Sequence, residues 1–237
     1  MEIKIIAVGS RRWERFIHSW GVSFLIGEDF LFDTFGKTVV FLGNIKKQNI
    51  DLSKIKHIAI SHDHWDHISG LWYIIEKFKD VSVYICPNFD IKIKERIKSF
   101  GVNVVEVRSL LRIKDNIYST GEMIGEFKNK NISEQALIVN SENGLIVITG
   151  CAHPGILNIL EEAKLNFPDK DIFCVLGGFH LLDKGKKEIE SIVNEFKKMG
   201  IRKVGPIHCT GSTATELFRQ EYKDNFVEIK VGEIIEV

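Results

Sequence analysis

The sequence predicts an α/β protein folded as a four-layer α/β/β/α sandwich. Runs of β-branched residues alternate with segments of helical periodicity along the chain, and this alternation predicts strands and helices in turn. The segments form two similar halves, each with strands first and strand–helix alternation after them. Strand-rich segments must bury one face against each other while helices cover the outer faces. We therefore expect residues 1–237 to form one domain, although the alternation is also typical of other α/β folds.

Each predicted strand is a short run rich in β-branched and aromatic residues, and each predicted helix has apolar residues at helical spacing. The first half has predicted strands at Ile3–Val8, Val22–Ile26, Phe30–Phe32, Ile55–Ile60, Val81–Ile85 and Val102–Val107, and helices at Thr38–Gln48, Gly70–Lys79 and Ile91–Ser99. The second half has predicted strands at Glu122–Phe127, Ala136–Asn140, Leu145–Thr149, Asp171–Leu176, Lys203–Ile207 and Val227–Ile229, and helices at Gly155–Leu165, Lys186–Met199 and Thr213–Glu221.

Composition narrows the classes of partner. The 237 residues are 44% hydrophobic and 27% charged, which is ordinary for a soluble globular protein. Lys and Arg total 32, as do Asp and Glu, so the chain exerts no general attraction on nucleic acid or an anionic membrane. No apolar run reaches the roughly 18 residues of a membrane span. We expect a small-molecule substrate and neither a nucleic-acid nor a membrane partner, while the oligomeric state stays open.

The start of the chain and its cysteines predict a cytoplasmic protein. Residues 1–6 lack the basic head, long apolar stretch and cleavage site of a signal peptide. The cysteines are widely spaced and form no Cys-x-x-Cys pair, so reduced thiols are expected rather than a disulfide framework. They are Cys86, Cys151, Cys174 and Cys209.

The strongest chemical signal is a cluster of ligand-type residues in the stretch Ser61-His62-Asp63-His64-Trp65-Asp66-His67. It follows one predicted strand and precedes a predicted helix, so it is expected at an exposed sheet edge. Imidazole and carboxylate are common ligands of zinc, manganese and iron. His62 and His64 can hold one ion from one side of a turn, while Asp66 and His67 face a second. A solvated polar loop is the alternative, but such loops rarely concentrate histidines in this way.

Three further histidines follow predicted strands beside glycine-containing turns. They are His153, His180 and His208. A lone His after a strand is usually a surface or hydrogen-bonded residue. Three such cases, each at the C-terminal end of a strand, are expected to converge on one edge of the sheet. The sequence therefore predicts that this edge supplies the ligands that the first cluster lacks.

The pattern His62-x-His64-x-Asp66-His67 is similar to the hallmark of the metallo-β-lactamase superfamily. Two earlier stretches resemble that superfamily's first hairpin, whose Asp, here Asp33, braces the metal loop; they are Trp20–Ile26 and Leu31–Thr34. Later motifs resemble a narrower subfamily described as related to dihydropteroate synthase; they are Gly150–Gly155, Gly178–His180 and His208–Gly211. That subfamily includes an archaeal enzyme that makes a dihydropterin-methyl-ribofuranosylaminobenzene phosphate for methanopterin.

The resemblance implies two divalent metal ions, with zinc as the expected metal and manganese or iron as alternatives. One ion would be held by His62, His64 and His153, and the other by Asp66, His67 and His208. It also implies a metal-bound hydroxide, because two ions acidify water enough to give a nucleophile at neutral pH. Asp66 would then belong to the catalytic residues as well as to the ligands.

Two departures from the superfamily pattern bear on the second metal. In many superfamily hydrolases the strand before the position of His153 ends in Gly-Asp, and that Asp bridges the metals, whereas this chain has Gly150-Cys151. The usual third His is also missing from Asn129–Gln135, so His153 is expected to replace it from another direction. Cys151 either bridges the ions, binds a single softer ion, or packs as buried Cys residues commonly do.

Other residues are candidates for catalysis and substrate binding. His180 is a candidate to donate a proton to a leaving group or to hold a phosphate, and a hydrogen-bonded core His is its alternative. Trp65 lies inside the metal loop and is expected to line a pocket, with His180 and Cys151 as further substrate-binding candidates. The stretch before the predicted strand Val22–Ile26 is either a cap over an anionic substrate or a solvated loop. It contains Arg11, Arg12, Trp13 and Arg15.

These residues lead us to expect a metal-dependent hydrolase of a small phosphate- or ester-containing substrate. The runner-up is a transferase that joins a dihydropterin-methyl diphosphate to an aminobenzene ribofuranosyl phosphate, because both reactions use the same electrophilic site. A di-iron redox module is a third interpretation, disfavoured because it usually has a carboxylate at the position of His64 and a flavin domain. A non-catalytic metal-binding module is a fourth, and a nuclease is disfavoured by the zero net charge.

Overall fold

The computed structural model describes residues 1–9 and 20–236 and has the predicted four-layer architecture. Within these ranges, one layer is a seven-stranded sheet. Its strands, from edge to edge, are β15 (Ile234–Glu236), β1 (Glu2–Gly9), β2 (Gly21–Ile26), β3 (Phe30–Phe32), β4 (His57–Ala59), β5 (Ser82–Ile85) and β6 (Asn103–Glu106). Strands β3 to β6 are parallel, so their carboxyl ends lie at one edge.

The second sheet of the described chain has six strands. From edge to edge they are β14 (Lys203–Ile207), β13 (Ile172–Gly178), β12 (Gly144–Thr149), β11 (Leu137–Ser141), β8 (Ile117–Ser119) and β7 (Leu111–Lys114). Strands β12, β13 and β14 are parallel. Between β8 and β11 the chain forms a separate antiparallel hairpin of β9 (Met123–Phe127) and β10 (Lys130–Glu134).

Helices cover the outer face of each sheet. Those packed on the first sheet or at its edge are α1 (Thr38–Lys47), α2 (Trp65–Ile68), α3 (Leu71–Lys77) and α4 (Ile91–Ser99), and those of the second sheet are α5 (Ile156–Asn166), α6 (Lys186–Lys198) and α7 (Ser212–Tyr222). Short 3₁₀ turns lie at Leu52–Lys54, His208–Thr210 and Lys223–Asn225. No helix among the described residues is long and apolar enough to span a membrane.

The period of two along each strand explains why the core has three parts. In β12, Ile146 and Ile148 face the other sheet, while Leu145 and Val147 face the helices. Both sets are buried, so this strand is a continuous apolar run, as expected for a strand covered on both faces. One apolar layer therefore lies between the sheets, and one lies under each group of helices.

Several elements differ from the sequence prediction. The strand predicted at Val227–Ile229 is wrong, because this segment only follows β14 in extended form after an isolated bridge between Val204 and Phe226. The last strand, β15, pairs instead with β1. Strands β7, β8 and β10 and helix α2 were not predicted, because each has five residues or fewer and gives little periodic signal.

A buried glutamine ties the two sheets together beside the site. Gln135 Nε2 donates to the carbonyls of Ile60 and Tyr84, at 2.8 and 3.1 Å, in the first sheet's layer. Its Oε1 accepts from Ser119 Oγ of the second sheet at 2.6 Å. Gln135 is 1% exposed. Because a buried polar group costs free energy unless it is paired, this amide fixes the distance between the sheets.

We predict that Gln135→Ala lowers the free energy of unfolding by about 2–4 kcal/mol, because it leaves buried carbonyls and a hydroxyl without hydrogen-bond partners. Urea unfolding of both proteins measures the change. Gln220→Ala is the matched control, since Gln220 is exposed on α7 and bonds only Glu216 among the contacts described; its effect should stay within about 0.5 kcal/mol. Equal changes in the free energy of unfolding for the two variants would contradict the role of Gln135 between the sheets.

Candidate metal centre

The predicted ligand residues meet at the carboxyl ends of parallel strands from both sheets. His62 and His64 lie in the loop after β4, and Asp66 and His67 lie on α2. The histidines after β12, β13 and β14 approach from the second sheet; they are His153, His180 and His208. The predicted convergence on one edge is therefore present in the structure, and both sheets contribute to it.

The donor atoms form two sets that match those implied by the family resemblance. His62, His64 and His153 offer nitrogens that all lie within 4.8 Å of one another, and so do the donors of Asp66, His67 and His208. All six residues are buried except His64, which is half-buried. The two sets lie side by side, since the ring centroids of His62 and His67 are 4.1 Å apart.

Spacing and unpaired atoms show that the second set fits a metal ion. Asp66 Oδ2 lies 3.3 Å from His67 Nε2 and 3.3 Å from His208 Nε2. Two ligands on one tetrahedral zinc, at bond lengths of about 2.0–2.2 Å, lie about 3.4 Å apart. In addition, the buried atoms His62 Nε2 of the first set and His208 Nε2 of the second have no hydrogen-bond partner among residues 1–9 and 20–236. A buried polar atom is normally paired, so these two nitrogens favour a bound cation.

Asp33 orients His67, as the sequence predicted for a bracing residue. Its carboxylate accepts from the Ser61 backbone N–H at 2.7 Å, from Ser61 Oγ at 2.8 Å and from His67 Nδ1 at 2.6 Å. The bond to Nδ1 leaves Nε2 of His67 as the free ring nitrogen, directed at Asp66. A partner on the far nitrogen fixes the tautomer and orientation of a ligand His.

Glu134 does the same for His153, and sequence reasoning missed it. It is 1% exposed at the end of β10. Its carboxylate accepts from the backbone N–H groups of Cys151, Ala152 and His153, and from His153 Nδ1, each at 2.8 Å. Burial opposes its charge, but the bonds from His153 and these N–H groups lower the pKa of Glu134 to about 2. An acidic residue ahead of a strand carried no motif that distinguished it from a surface Glu.

His208 is held from the first sheet. Its Nδ1 lies 2.9 Å from the carbonyl oxygen of Gly9 and 3.1 Å from the N–H of Gly21. Both backbone contacts engage Nδ1, so Nε2 is the ring nitrogen that faces Asp66. Gly21 is required here, because a Cβ at that position would lie 1.8 Å from the Asp66 carbonyl oxygen.

Cys151 lies between the two sets. Its Sγ is 3.4 Å from His67 Nε2, and it shares ligand-distance groups with residues of both sets. Cys209 lies beside it and donates from Sγ to the Cys151 carbonyl oxygen at 3.5 Å. Burial raises the pKa of the Cys151 thiol well above its ordinary value. All four cysteines are buried free thiols, in line with the expectation of reduced thiols.

A cleft of about 1630 Å³ opens onto these residues. His64, Trp65, His153 and His180 line it, together with Phe127 from the β9–β10 hairpin. Trp65 is 56% exposed, as a pocket wall would be. His180 packs on His153 with ring centroids 4.5 Å apart, and its Nδ1 is buried without a partner. A hydrogen bond with Cys209 raises the pKa of His180 above its ordinary value, so the catalytic role and the hydrogen-bonded alternative both stay predictions. Arg11, Arg12, Trp13 and Arg15 lie outside the described residues.

The backbone around the site is strained. Positive φ values occur at Asp33, Ala152, His180 and His208, at 56°, 63°, 53° and 55°. Residues other than glycine adopt this region at a cost of about 1–3 kcal/mol each. Such strain persists where the surrounding structure fixes it, and it concentrates at functional sites. Four residues that form or support this candidate centre therefore have a strained backbone conformation.

The family model described as the Metallo-beta-lactamase superfamily matches residues 21–156, which include the first ligand cluster and reach His153. The chain belongs to the metallo-β-lactamase superfamily. Its members are metal-dependent enzymes. A relative from Methanocaldococcus jannaschii, 7,8-dihydropterin-6-methyl-4-(beta-D-ribofuranosyl)-aminobenzene-5'-phosphate synthase, is 31% identical over 91% of this chain and 89% of its own length.

Two other proteins are similar over most of the chain. A solved structure described as a metal-dependent hydrolase of the beta-lactamase superfamily is 30% identical, with a TM-score of 0.81, and the match covers 100% of this chain and 99% of that one. Ribonuclease Z of Borreliella afzelii is 30% identical over 96% of this chain and 72% of its own length. These likenesses agree with the predicted superfamily and subfamily.

We predict that Glu134→Gln weakens metal binding about 10–100-fold, because an amide NH₂ would face N–H donors and His153 would lose its orienting carboxylate. Competition for zinc with a chromophoric chelator measures the affinity. Glu126→Gln, an exposed change on the neighbouring strand β9, should leave the affinity unchanged. Wild-type affinity in Glu134→Gln would rule out this role for Glu134.

Proposed function

We propose that this superfamily member is a two-metal hydrolase of a small phosphate- or ester-containing substrate bound in the cleft. The observation that supports this most is the pair of adjacent three-residue donor sets, each with a buried nitrogen that has no hydrogen-bond partner in the described part of the chain. When bound, two divalent ions, zinc being the expected metal, supply electrophilic polarisation and acidify water at neutral pH. The proposed ligands are His62, His64 and His153 for one ion and Asp66, His67 and His208 for the other.

The remaining residues of the cleft would bind and orient the substrate. His180 lines the cleft beside His153, so it is placed to donate a proton to a leaving-group oxygen or to hold a phosphoryl oxygen. Trp65 and Phe127 offer exposed aromatic surface on which a flat ring can stack. Cys151, at 4% exposure, lines the deep end of the cleft.

Charges along the cleft favour a small substrate over a nucleic acid. Lys128 and Lys184 line it, but so do Glu126, Asp183 and Glu188. A groove for nucleic acid is expected to be predominantly basic, and this one is mixed within the described residues. The likeness to Ribonuclease Z therefore supports the shared metal chemistry rather than an RNA substrate.

A pterin-joining transferase is the second candidate, and the M. jannaschii synthase favours it. In that reaction the same centre would bind the diphosphate leaving group of a dihydropterin-methyl diphosphate while an aminobenzene ribofuranosyl phosphate attacks. Trp65 and Phe127 at the cleft suit flat ring substrates equally well. The donor sets are common to both reactions, so only turnover separates them.

We predict that the metal-loaded protein hydrolyses small phosphodiesters or phosphate esters. The decisive assay supplies a dihydropterin-methyl diphosphate with and without the aminobenzene ribofuranosyl phosphate and follows diphosphate release. Release without the acceptor, together with cleavage of generic phosphodiesters, supports the hydrolase. Release that requires the acceptor establishes the transferase instead. An RNA substrate should remain uncut, and absence of every turnover in fully loaded protein would favour a non-catalytic metal-binding module.

We predict that His180→Ala lowers kcat about 10²–10⁴-fold, as expected for loss of a general acid, while metal content stays at the wild-type level. Steady-state kinetics and metal analysis on the same preparation measure both quantities. His57→Ala is the control, because His57 starts β4 and pairs with Tyr84 away from the loop that follows the strand. A kcat within twofold of wild type in His180→Ala would remove His180 from the mechanism.

A further inference from the structure

The cleft extends well beyond the two donor sets. Its volume of about 1630 Å³ exceeds the roughly 300–1,000 Å³ of a typical small-ligand pocket. Beyond His153 and His180 it continues between the start of α5 and the first half of α6. Leu157, Leu182 and Ile192 line this part, which we call the apolar arm. A phosphoryl group at the donor sets would leave the arm open to another part of the substrate.

The three side chains of the arm expose apolar surface. Leu182 is 37% exposed, and Leu157 and Ile192 are only partly buried where they pack on the core beneath α5 and α6. Removing apolar surface from water is favourable. Three aliphatic side chains on the walls of one cleft therefore favour a ligand group that is itself apolar.

Backbone contacts hold one wall of the arm in place. The N–H of Leu182 donates to the Cys209 carbonyl oxygen at 3.1 Å, and the N–H of Lys184 donates to the Leu181 carbonyl oxygen at 3.1 Å. Leu182 also lies against Gly211, where a Cβ would come within 2.7 Å of Leu182 Cδ1. The wall is thus formed before a ligand binds, which lowers the entropy cost of binding.

The charged groups beside the arm disfavour an anionic ligand group there. Lys184 Nζ lies 2.8 Å from Glu188 Oε1, so this lysine is already paired. Asp183 adds a further carboxylate. Lys128 also lines the cleft, but it lies in the turn of the β9–β10 hairpin rather than on this wall. A second phosphate or a carboxylate in the arm would therefore be repelled by Asp183 and Glu188.

The position of His180 indicates which part of a substrate reaches the arm. His180 is the proposed proton donor to the leaving-group oxygen, and Leu181 and Leu182 follow it directly in the chain. Both leucines line the same cleft. A leaving oxygen beside His180 would therefore direct the group attached to it toward Leu182 and the start of α5.

We propose that the apolar arm binds the leaving group, so that the substrate is an ester of an uncharged, apolar alcohol, with a phosphate ester as the simplest case. The proposal rests on the proposed hydrolase function and names its substrate class. For a phosphate ester, a water oxygen bonds to phosphorus, the bond between phosphorus and the ester oxygen breaks, and a proton passes to that oxygen. The products are inorganic phosphate and the alcohol.

The first test is calorimetric binding of n-alkylphosphonates with methyl, butyl and hexyl chains to the zinc-loaded full chain. A phosphonate has no ester bond to hydrolyse, and the series changes only the apolar part. We expect Kd to fall about two- to fourfold for each added methylene up to the length of the arm, as burial of a CH₂ group predicts. A chain of the same length as hexyl that ends in a carboxylate should bind at least about tenfold more weakly than hexylphosphonate.

Variants of the arm test the residues named. Leu157→Asn should lower the ratio of the methylphosphonate Kd to the hexylphosphonate Kd about fivefold or more, because an amide replaces apolar surface. Leu165→Asn is the matched control. It makes the same change on the same helix at a leucine that is 77% exposed, and it should keep the wild-type ratio. Ile192→Asn is the second arm variant and decides the matter if Leu157→Asn fails to fold.

A wild-type Kd that is independent of chain length would overturn the proposal. So would failure of hexylphosphonate to bind, tighter binding of the carboxylate-ended compound, or equal ratios in the arm variants and Leu165→Asn. Phosphate release from hexyl phosphate tests the proposed function separately. Binding that depends on chain length, without turnover of hexyl phosphate, would count against the hydrolase and leave the apolar arm standing.

Discussion

The centre depends on two sheets touching at one edge without a side chain between them. A Cβ at Gly150 would lie 2.1 Å from Ser61 Oγ and 2.9 Å from Asp33 Oδ2. Because the loop after β12 lacks that atom, it can lie directly on the loop after β4. Gln135 fixes the same separation from the adjacent position through bonds to both sheets. Every other feature of the site, including the side-by-side donor sets, follows from this close contact.

Around that contact the ligands are held by buried carboxylates rather than by apolar packing. The Asp33 carboxylate hydrogen-bonds to Nδ1 of His67, and the Glu134 carboxylate hydrogen-bonds to Nδ1 of His153. Burying a carboxylate is costly unless it is fully hydrogen-bonded, and each of these accepts several N–H or O–H donors. The backbone at Asp33 and Ala152 has positive φ, and this strained conformation accompanies the hydrogen bonds to the two carboxylates. The two carboxylates thus fix two imidazoles, one in each donor set.

The sequence predicts the fold well, and it predicts which residues gather at the candidate site, because both leave strong local signals. Buried strands are apolar runs, and the density of His in residues 62–67 is unusual in any loop. Contacts between distant segments leave no such signal. Glu134 and Gln135 look like ordinary polar residues before a strand, yet both are 1% exposed. The β9–β10 hairpin that carries Phe127 to the cleft was predicted only in its first strand, because β10 is short and polar.

Glu134 also bears on a departure from the superfamily pattern that the sequence shows. The resemblance implies a third His ahead of β11, in Asn129–Gln135, where this chain has none. The side chain found there, Glu134, lies 2.8 Å from His153 Nδ1 and fixes that imidazole beside His62 and His64. The segment that lacks the histidine therefore supplies a carboxylate that positions a histidine of the loop after β12, and the first candidate donor set keeps three imidazoles.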